Sequence, residues 1–253
     1  MLKMTTYGDD RQSPPVVIVH GLFGSGRNWR AIARRLARDR RVVTVDMRNH
    51  GDSARADSQS YPDMAGDLAR VIEALGGQAD VIGHSMGGKA AMALALTRPD
   101  LVRRLLVADI APVAYEHSQS HLIRAMRKLD PARVASRAEA DATLARDIET
   151  PELRAFLLQS LNLPEKRWQL NLDVLERDMD KITGWPDGLT GRFDGPVLFL
   201  SGANSDYVRP EHRDRIRALF PKARFARLPG AGHWLHAERP RAFIAAAQAF
   251  LNG

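Results

Sequence analysis

Short apolar runs alternate with amphipathic stretches along most of this chain. The apolar runs, each of strand length, lie at 16–20, 41–46, 79–83, 104–109, 196–201 and 223–228. Stretches with helical periodicity lie between or after them, at 28–38, 61–75, 86–98, 210–220 and 240–251. This alternation predicts an α/β fold, in which helices cover both faces of a mostly parallel central sheet. An additional strand is possible at 2–7.

The alternation breaks between residues 109 and 196, where the pattern contains no convincing strand. Short helices are predicted there instead, at 118–128, 138–148, 151–160 and 170–182. Prolines at 131, 151 and 164 interrupt the segment. The pattern therefore predicts a helical insertion within the α/β framework.

A G-x-S-x-G pentapeptide joins the third apolar run to the helix after it. It reads Gly83-His84-Ser85-Met86-Gly87. In this position it predicts a nucleophile elbow, a tight turn that raises the serine hydroxyl above the sheet edge. The same turn would place the Met86 N–H at a helix N-terminus, where partial positive charge favours an oxyanion. The alternative interpretation is a glycine-rich turn with a solvated serine.

Two further glycine- and histidine-containing turns follow apolar runs. The segment HGLFG at 20–24 follows the first run of the framework, and GAGHW at 230–234 follows the last. With the elbow and the turn DMRNHGDS at 46–53, they resemble the α/β-hydrolase family over about residues 14–251. Segments 48–51, 83–89 and 109–113 are similar to the small YbfF-type bacterial esterase/thioesterase branch.

The resemblance implies the α/β-hydrolase fold and a division into two parts. Residues 1–112 and 192–253 would form the core domain, and residues 113–191 would form a helical cap (lid) over the active site. A separate helical module unrelated to the chemistry is the alternative for the second part.

A serine hydroxyl needs a base within hydrogen-bond reach before it can act as a nucleophile at neutral pH. His233 is the candidate base, because it follows the last strand in a glycine-rich turn that can approach Ser85. The base needs a carboxylate on its other ring nitrogen. The family usually provides it in G-x-x-D-x-x-V, but this chain has Ser205 at that position and Asp206 one residue later. Asp109, at the end of a strand, is the favoured acid, and Asp206 is the alternative.

The oxyanion hole is predicted to combine the backbone amides of Met86 and Leu22. The backbone amide of the neighbouring Phe23 is the alternative to that of Leu22. The side chains of Phe23, Tyr207 and Trp234 are predicted to line the substrate site.

Composition narrows the cellular setting and the partners. The chain of 253 residues has no cysteine, and its 37 Lys and Arg against 30 Asp and Glu give a net charge of +7. The basic residues are scattered rather than clustered, so we expect no nucleic-acid partner.

No 18-residue apolar stretch is present, which predicts no membrane span. We therefore expect a cytoplasmic protein. His117 and His121 are four residues apart but lack a third ligand, so we expect neither a metal nor another cofactor.

These features predict a serine hydrolase that cleaves small-to-medium acyl esters or thioesters through an acyl-enzyme. A cofactor-free haloperoxidase or perhydrolase and a carbon–carbon bond hydrolase would use the same triad. A non-enzymatic ligand receptor is a further alternative. The substrate and the oligomeric state, monomer or dimer, are left open by the sequence.

Overall fold

The computed structural model describes residues 1–9 and 14–253, so residues 10–13 of the predicted core domain lie outside it. Within the described residues, the centre is a seven-stranded sheet. Its strands are β1 (Lys3–Tyr7), β2 (Val16–Val19), β3 (Val42–Asp46), β4 (Ala79–His84), β5 (Val102–Ala108), β8 (Val197–Gly202) and β9 (Ala223–Leu228). Their order across the sheet is β1-β3-β2-β4-β5-β8-β9. β1 pairs antiparallel with β3, and the pairs from β3 across to β9 are parallel.

Helices cover both faces of this sheet, as the alternating pattern predicted. The core helices are α1 (Arg30–Leu36), α2 (Tyr61–Ala74), α3 (Met86–Thr97), α9 (Arg213–Leu219), α10 (Leu235–Glu238) and α11 (Pro240–Asn252). Helices α2 and α3 pack on one face and α1 and α11 on the other. The central strands read as continuous Val, Ile and Leu because both of their faces are buried.

The segment between β5 and β8 folds over one end of the sheet. It contains the helices α4 (Ser120–Lys128), α5 (Arg137–Leu144), α6 (Pro151–Leu158), α7 (Leu172–Arg177) and α8 (Met179–Thr183). A short antiparallel pair, β6 (Leu161–Asn162) and β7 (Arg167–Trp168), lies among them. The expectation that this segment contains no strand is therefore wrong. Two residues per strand are too few to produce a readable alternation of apolar and polar side chains.

Several predicted helices are also divided or shortened. The single helix expected at 170–182 is two helices, α7 and α8, which meet at the buried Asp178. The helices expected from 28 and from 210 begin as 3₁₀ turns, Gly26–Trp29 and Pro210–His212. Helix α10 has only four residues and was not predicted. In the part of the chain that the structure describes, no helix combines the length and apolarity needed to cross a bilayer.

Candidate active site

Ser85 lies between β4 and α3 in a strained backbone conformation. Its φ and ψ are 51° and −122°, a region that side-chain-bearing residues seldom occupy. The turn closes tightly around it: a Cβ on Gly83 would meet the backbone of Gly87, and a Cβ on Gly87 would meet the carbonyls of Val19 and His20. Only glycine fits at both positions. The elbow expected from the pentapeptide is therefore the conformation of this turn.

His233 lies in the loop after β9, between a hydroxyl and a carboxylate. Its Nε2 is 3.1 Å from Ser85 Oγ, and its Nδ1 is 2.8 Å from Asp109 Oδ2. Because an ionised carboxylate only accepts hydrogen bonds, Nδ1 carries the proton and Nε2 can accept one from Ser85. This is the tautomer that a general base for a serine nucleophile requires.

Asp109 follows β5 and is fully buried. Its Oδ1 accepts a hydrogen bond from the Gly202 N–H at 3.0 Å, and its Oδ2 accepts one from the Ser205 hydroxyl at 2.5 Å. Its φ of 52° lies in the left-handed region, a local cost that these hydrogen bonds offset. The carboxylate is thus held by three donors, counting His233.

Asp206, the alternative acid, is exposed. Within the described residues its carboxylate makes no hydrogen bond to His233. Ser205 instead directs its hydroxyl at Asp109, which sends the next side chain outwards. This role of Ser205 was not predicted from the sequence, although Ser205 stands where the family usually has the acid.

The candidate oxyanion donors lie on either side of Ser85. Met86 is the first residue of α3, so its N–H has no acceptor within the helix. The loop that carries Leu22 approaches the elbow closely, since a Cβ on Gly21 would lie 3.2 Å from Ser85 Cβ. Among the described residues Leu22 N–H has no hydrogen-bond acceptor, whereas Phe23 N–H donates to His50 Nε2 at 3.2 Å. This difference favours Leu22 over Phe23 as the second donor.

Two buried histidines hold the loop of residues 20–24 in place. His20 Nδ1–H donates to Gly21 O at 2.7 Å, and His20 Nε2 accepts from Met47 N–H at 2.9 Å. His50 Nδ1–H donates to Arg48 O at 2.9 Å while its Nε2 accepts from Phe23. Burial lowers the pKa of His20 to about 4 and that of His50 to about 3, so both rings are neutral. In each ring Nδ1 is therefore the hydrogen-bond donor and Nε2 the acceptor. The sequence did not predict that these histidines support the loop.

A cavity of about 230 Å³ opens above Ser85 between the core and the inserted segment. The predicted substrate-lining residues Phe23, Tyr207 and Trp234 all contribute to its wall, as does Leu22. The other Trp, Tyr, Phe, Leu, Ile and Met side chains of the wall are Trp29, Tyr61, Met86, Ile110, Tyr115, Leu122, Leu153, Phe156 and Ile182. The wall is mainly apolar and aromatic, which suits an acyl group.

Tyr207 joins the inserted segment to the candidate base. Its ring stacks on His233, with 3.9 Å between ring centroids and 20° between planes. Its hydroxyl lies 2.8 Å from Nε2 of His117 in the inserted segment, and its carbonyl accepts from the Tyr115 hydroxyl at 2.7 Å. The position of the His233 ring thus depends on the inserted segment as well as on the core.

Two of the remaining histidines, His84 and His236, are buried beside the candidate site. His84 Nε2–H donates to the His233 carbonyl at 2.9 Å, and His236 stacks on Trp29 with 4.1 Å between centroids. Burial lowers the pKa of His236 to about 3. Within residues 1–9 and 14–253, no group of three or more His, Cys, Asp or Glu side chains is placed to hold a metal ion.

Comparison with known proteins decides the family. Residues 14–240 match the sequence profile of the α/β hydrolase fold family. The chain belongs to the α/β-hydrolase family. It is 43% identical to the mouse sn-1-specific diacylglycerol lipase ABHD11, covering 96% of this chain and 82% of that protein. It is 39% identical to the esterase YbfF of Escherichia coli K12, covering 99% and 98%.

The solved structure of a marine microorganism esterase gives the same result for the fold. It superimposes with a TM-score of 0.93 at 38% identity, and 98% of each chain is covered. The predicted family, fold class and similarity to the YbfF branch are confirmed. With relatives named as esterases and as a lipase, this α/β-hydrolase is a carboxylic ester hydrolase.

Proposed function

We propose that this α/β-hydrolase cleaves acyl esters through a Ser85–His233–Asp109 triad. The observation that carries the proposal is the continuous hydrogen-bond path from Ser85 Oγ through His233 to Asp109, with distances of 3.1 and 2.8 Å. His233 Nε2 takes the hydroxyl proton as Ser85 attacks the carbonyl carbon. Asp109 keeps the imidazole in the required tautomer and stabilises the imidazolium that forms.

The negative charge of the tetrahedral intermediate needs donors on the carbonyl-oxygen side. We assign this role to the backbone amides of Leu22 and Met86, each contributing about 3 kcal/mol of transition-state stabilisation. His233 then protonates the leaving alcohol or thiol, which departs and leaves an acyl group on Ser85. Water, activated by the same histidine, releases the acid and restores the serine. The steps need no cofactor, since the protein's own groups supply the base, the acid and the oxyanion donors.

The cavity and the relatives both support the proposed substrate class. The cavity volume of about 230 Å³ and the aromatic wall fit a small-to-medium acyl group, which would contact Phe23, Tyr207 and Trp234. The names of the relatives, an esterase and a diacylglycerol lipase, support an oxygen ester. A thioester presents the same carbonyl and a better leaving group, so we include acyl thioesters in the proposal.

The proposal is tested by hydrolysis of p-nitrophenyl esters from acetyl to decanoyl, with matching acyl-CoA thioesters, by wild type and Ser85→Ala. We expect turnover by the wild type and a loss of at least about 10³-fold in kcat for the variant, because the residual rate then comes from binding and the oxyanion donors alone. The chain-length optimum would measure the useful depth of the cavity. Unchanged activity in Ser85→Ala, or a wild type inert on every ester, would refute the proposal. If the wild type cleaves no ester, two further assays would identify the alternative chemistry. Peroxide-dependent halogenation would indicate a haloperoxidase or perhydrolase, and cleavage of a dienoic diketone would indicate a carbon–carbon bond hydrolase.

A further inference from the structure

Lys89 is a buried cation in the wall of the active-site cavity. It lies on α3, one helical turn beyond Ser85, and its side chain is 1% exposed. Its Nζ donates to the carbonyls of Thr183 at 2.8 Å and Gly184 at 2.6 Å. The same nitrogen lies 4.7 Å from the centroid of the Tyr115 ring. The proposed ester-cleavage chemistry does not use this group.

No carboxylate balances this charge within the described residues. Lys89 forms no ion pair with Asp or Glu there, and the neighbouring phenols of Tyr61 and Tyr115 donate to backbone carbonyls. An ammonium group has three N–H donors, and two of them are accounted for by Thr183 and Gly184. The third has no acceptor oxygen among the described residues. Within the described part of the chain, the faces of the Tyr115 and Tyr61 rings, with centroids 4.7 and 5.7 Å from Nζ, oppose the charge, and the third N–H has no oxygen acceptor where Lys89 borders the cavity.

Attachment of the inserted segment alone does not explain a lysine at this position. Holding two carbonyls requires only neutral N–H donors, and an uncompensated buried charge carries a desolvation cost that a neutral donor avoids. Burial lowers the pKa of Lys89 to about 7, which expresses this cost. An anionic group bound in the cavity would offset the cost and accept a hydrogen bond from the third N–H at the same time.

We propose that Lys89 binds a free carboxylate on the acyl part of the substrate, so that the enzyme prefers half-esters or half-thioesters of dicarboxylic acids. This inference rests on the proposed ester-cleavage function and specifies its substrate class. Ser85 and Lys89 both line the same cavity of about 230 Å³. A diacid chain short enough to fit this cavity would place its ester carbonyl at Ser85 and its free carboxylate at Lys89.

The test compares monoethyl esters of malonic, succinic, glutaric and adipic acid with ethyl esters of the unsubstituted acids of matched length. Alkyl esters are used with pH-stat detection, because aryl half-esters of short diacids hydrolyse spontaneously. We expect wild type to favour the half-ester at one chain length by about tenfold or more in kcat/KM. Lys89→Met should lose this preference, and Lys89→Arg, which keeps the charge, should retain part of it.

Lys222→Met is the matched control, because Lys222 is exposed and lies outside the cavity wall. It should keep the wild-type ratio of kcat/KM on half-esters to kcat/KM on unsubstituted esters.

The inference is overturned if the wild type is active on the unsubstituted esters but shows no half-ester preference. This result counts even if Lys89→Met does not fold. An equal preference in wild type and Lys89→Met overturns it as well. In 4-acetoxybenzoate the carboxylate is on the leaving group, and phenyl acetate lacks it. If the wild type preferred 4-acetoxybenzoate and Lys89→Met did not, Lys89 would bind the leaving group, which contradicts the inference. Wild type inert on all esters would instead refute the proposed function.

Discussion

At the scale of single residues, the candidate site depends on side chains that fix the position of His233. Asp109 holds one ring nitrogen at 2.8 Å, and Tyr207 stacks on the ring face at 3.9 Å. Ser205 donates to the same Asp109 oxygen at 2.5 Å, which fixes the carboxylate. Ser85 and His233 could be singled out from the sequence because their turns carry recognisable glycines. The sequence favoured Asp109 as the acid but left Asp206 as the alternative, since a shift of one residue reverses the direction of a side chain in a turn.

Replacing Asp109 by Asn should lower kcat by about 10³- to 10⁴-fold, because an amide favours the wrong histidine tautomer. Asp206→Asn is the matched control and should remain within about twofold of wild type, since its side chain is exposed. Steady-state kinetics on the best p-nitrophenyl ester gives both values. The assignment of the acid would be reversed if Asp206→Asn were the inactive variant.

The stacking of Tyr207 on His233 is tested by two substitutions. Tyr207→Phe keeps the ring and removes only the hydroxyl near His117, so we expect a loss of kcat/KM below about fivefold. Tyr207→Leu removes the aromatic face, which is worth about 0.5–1.5 kcal/mol in aromatic pairs, so we expect a further loss of about three- to tenfold. Steady-state kinetics on the best p-nitrophenyl ester gives both ratios to wild type. Equal kcat/KM in the two variants would mean that the ring does not position the base.

At the scale of secondary-structure elements, the sheet and the inserted segment differ in how far the sequence determines them. Strands buried on both faces are uninterrupted runs of branched apolar residues, so β2, β4, β5 and β8 could be located to within two residues or so. The helices of the inserted segment are five to nine residues long. Stretches of one to three turns carry too little periodicity to define their ends. Their contacts with the loop of residues 20–24 also arise only in the folded chain.

One such contact links the inserted segment to the candidate oxyanion hole. The Ser160 hydroxyl donates to the Phe23 carbonyl at 2.9 Å, next to Leu22, and Phe23 itself has a φ of 64°. Ser160→Ala should lower kcat by about tenfold with little change in KM, because it loosens an oxyanion donor without removing a substrate contact.

Ser136→Ala is the control for this prediction. Ser136 caps helix α5 by accepting from Glu139 N–H at 3.2 Å. Its loss should cost about 1 kcal/mol of stability, with unchanged kcat. If Ser160→Ala raised KM and left kcat unchanged, the contact would serve substrate binding rather than the oxyanion hole.

At the scale of the whole molecule, buried neutral histidines make stability depend on pH. The folded-state pKa is about 4 for His20 and about 3 for His50 and His236, against 6.5 for the exposed group. The unfolded chain therefore takes up protons below pH 6.5 that the folded chain does not. The contribution of these histidines to the free energy of unfolding is therefore largest above pH 6.5, and it falls as the pH decreases towards 4 by up to about 1.4 kcal/mol per pH unit for each histidine.

Urea unfolding at about pH 7 and pH 5 tests this dependence. Wild type should lose several kcal/mol between the two, and His50→Gln should lose about 2 kcal/mol less than wild type over the same interval. His121→Gln, at an exposed position, should reproduce the wild-type difference. If His50→Gln and wild type lost the same amount, His50 would not be buried in its neutral form.

The most direct test of the central claim is covalent trapping of the nucleophile. Wild type, Ser85→Ala and His233→Gln would be incubated with an alkyl fluorophosphonate, and the adducts located by intact mass and peptide mapping. We predict one adduct on wild type, located on Ser85, none on Ser85→Ala, and labelling slowed by orders of magnitude in His233→Gln. An adduct on another residue, or labelling of Ser85→Ala at the wild-type rate, would contradict the account.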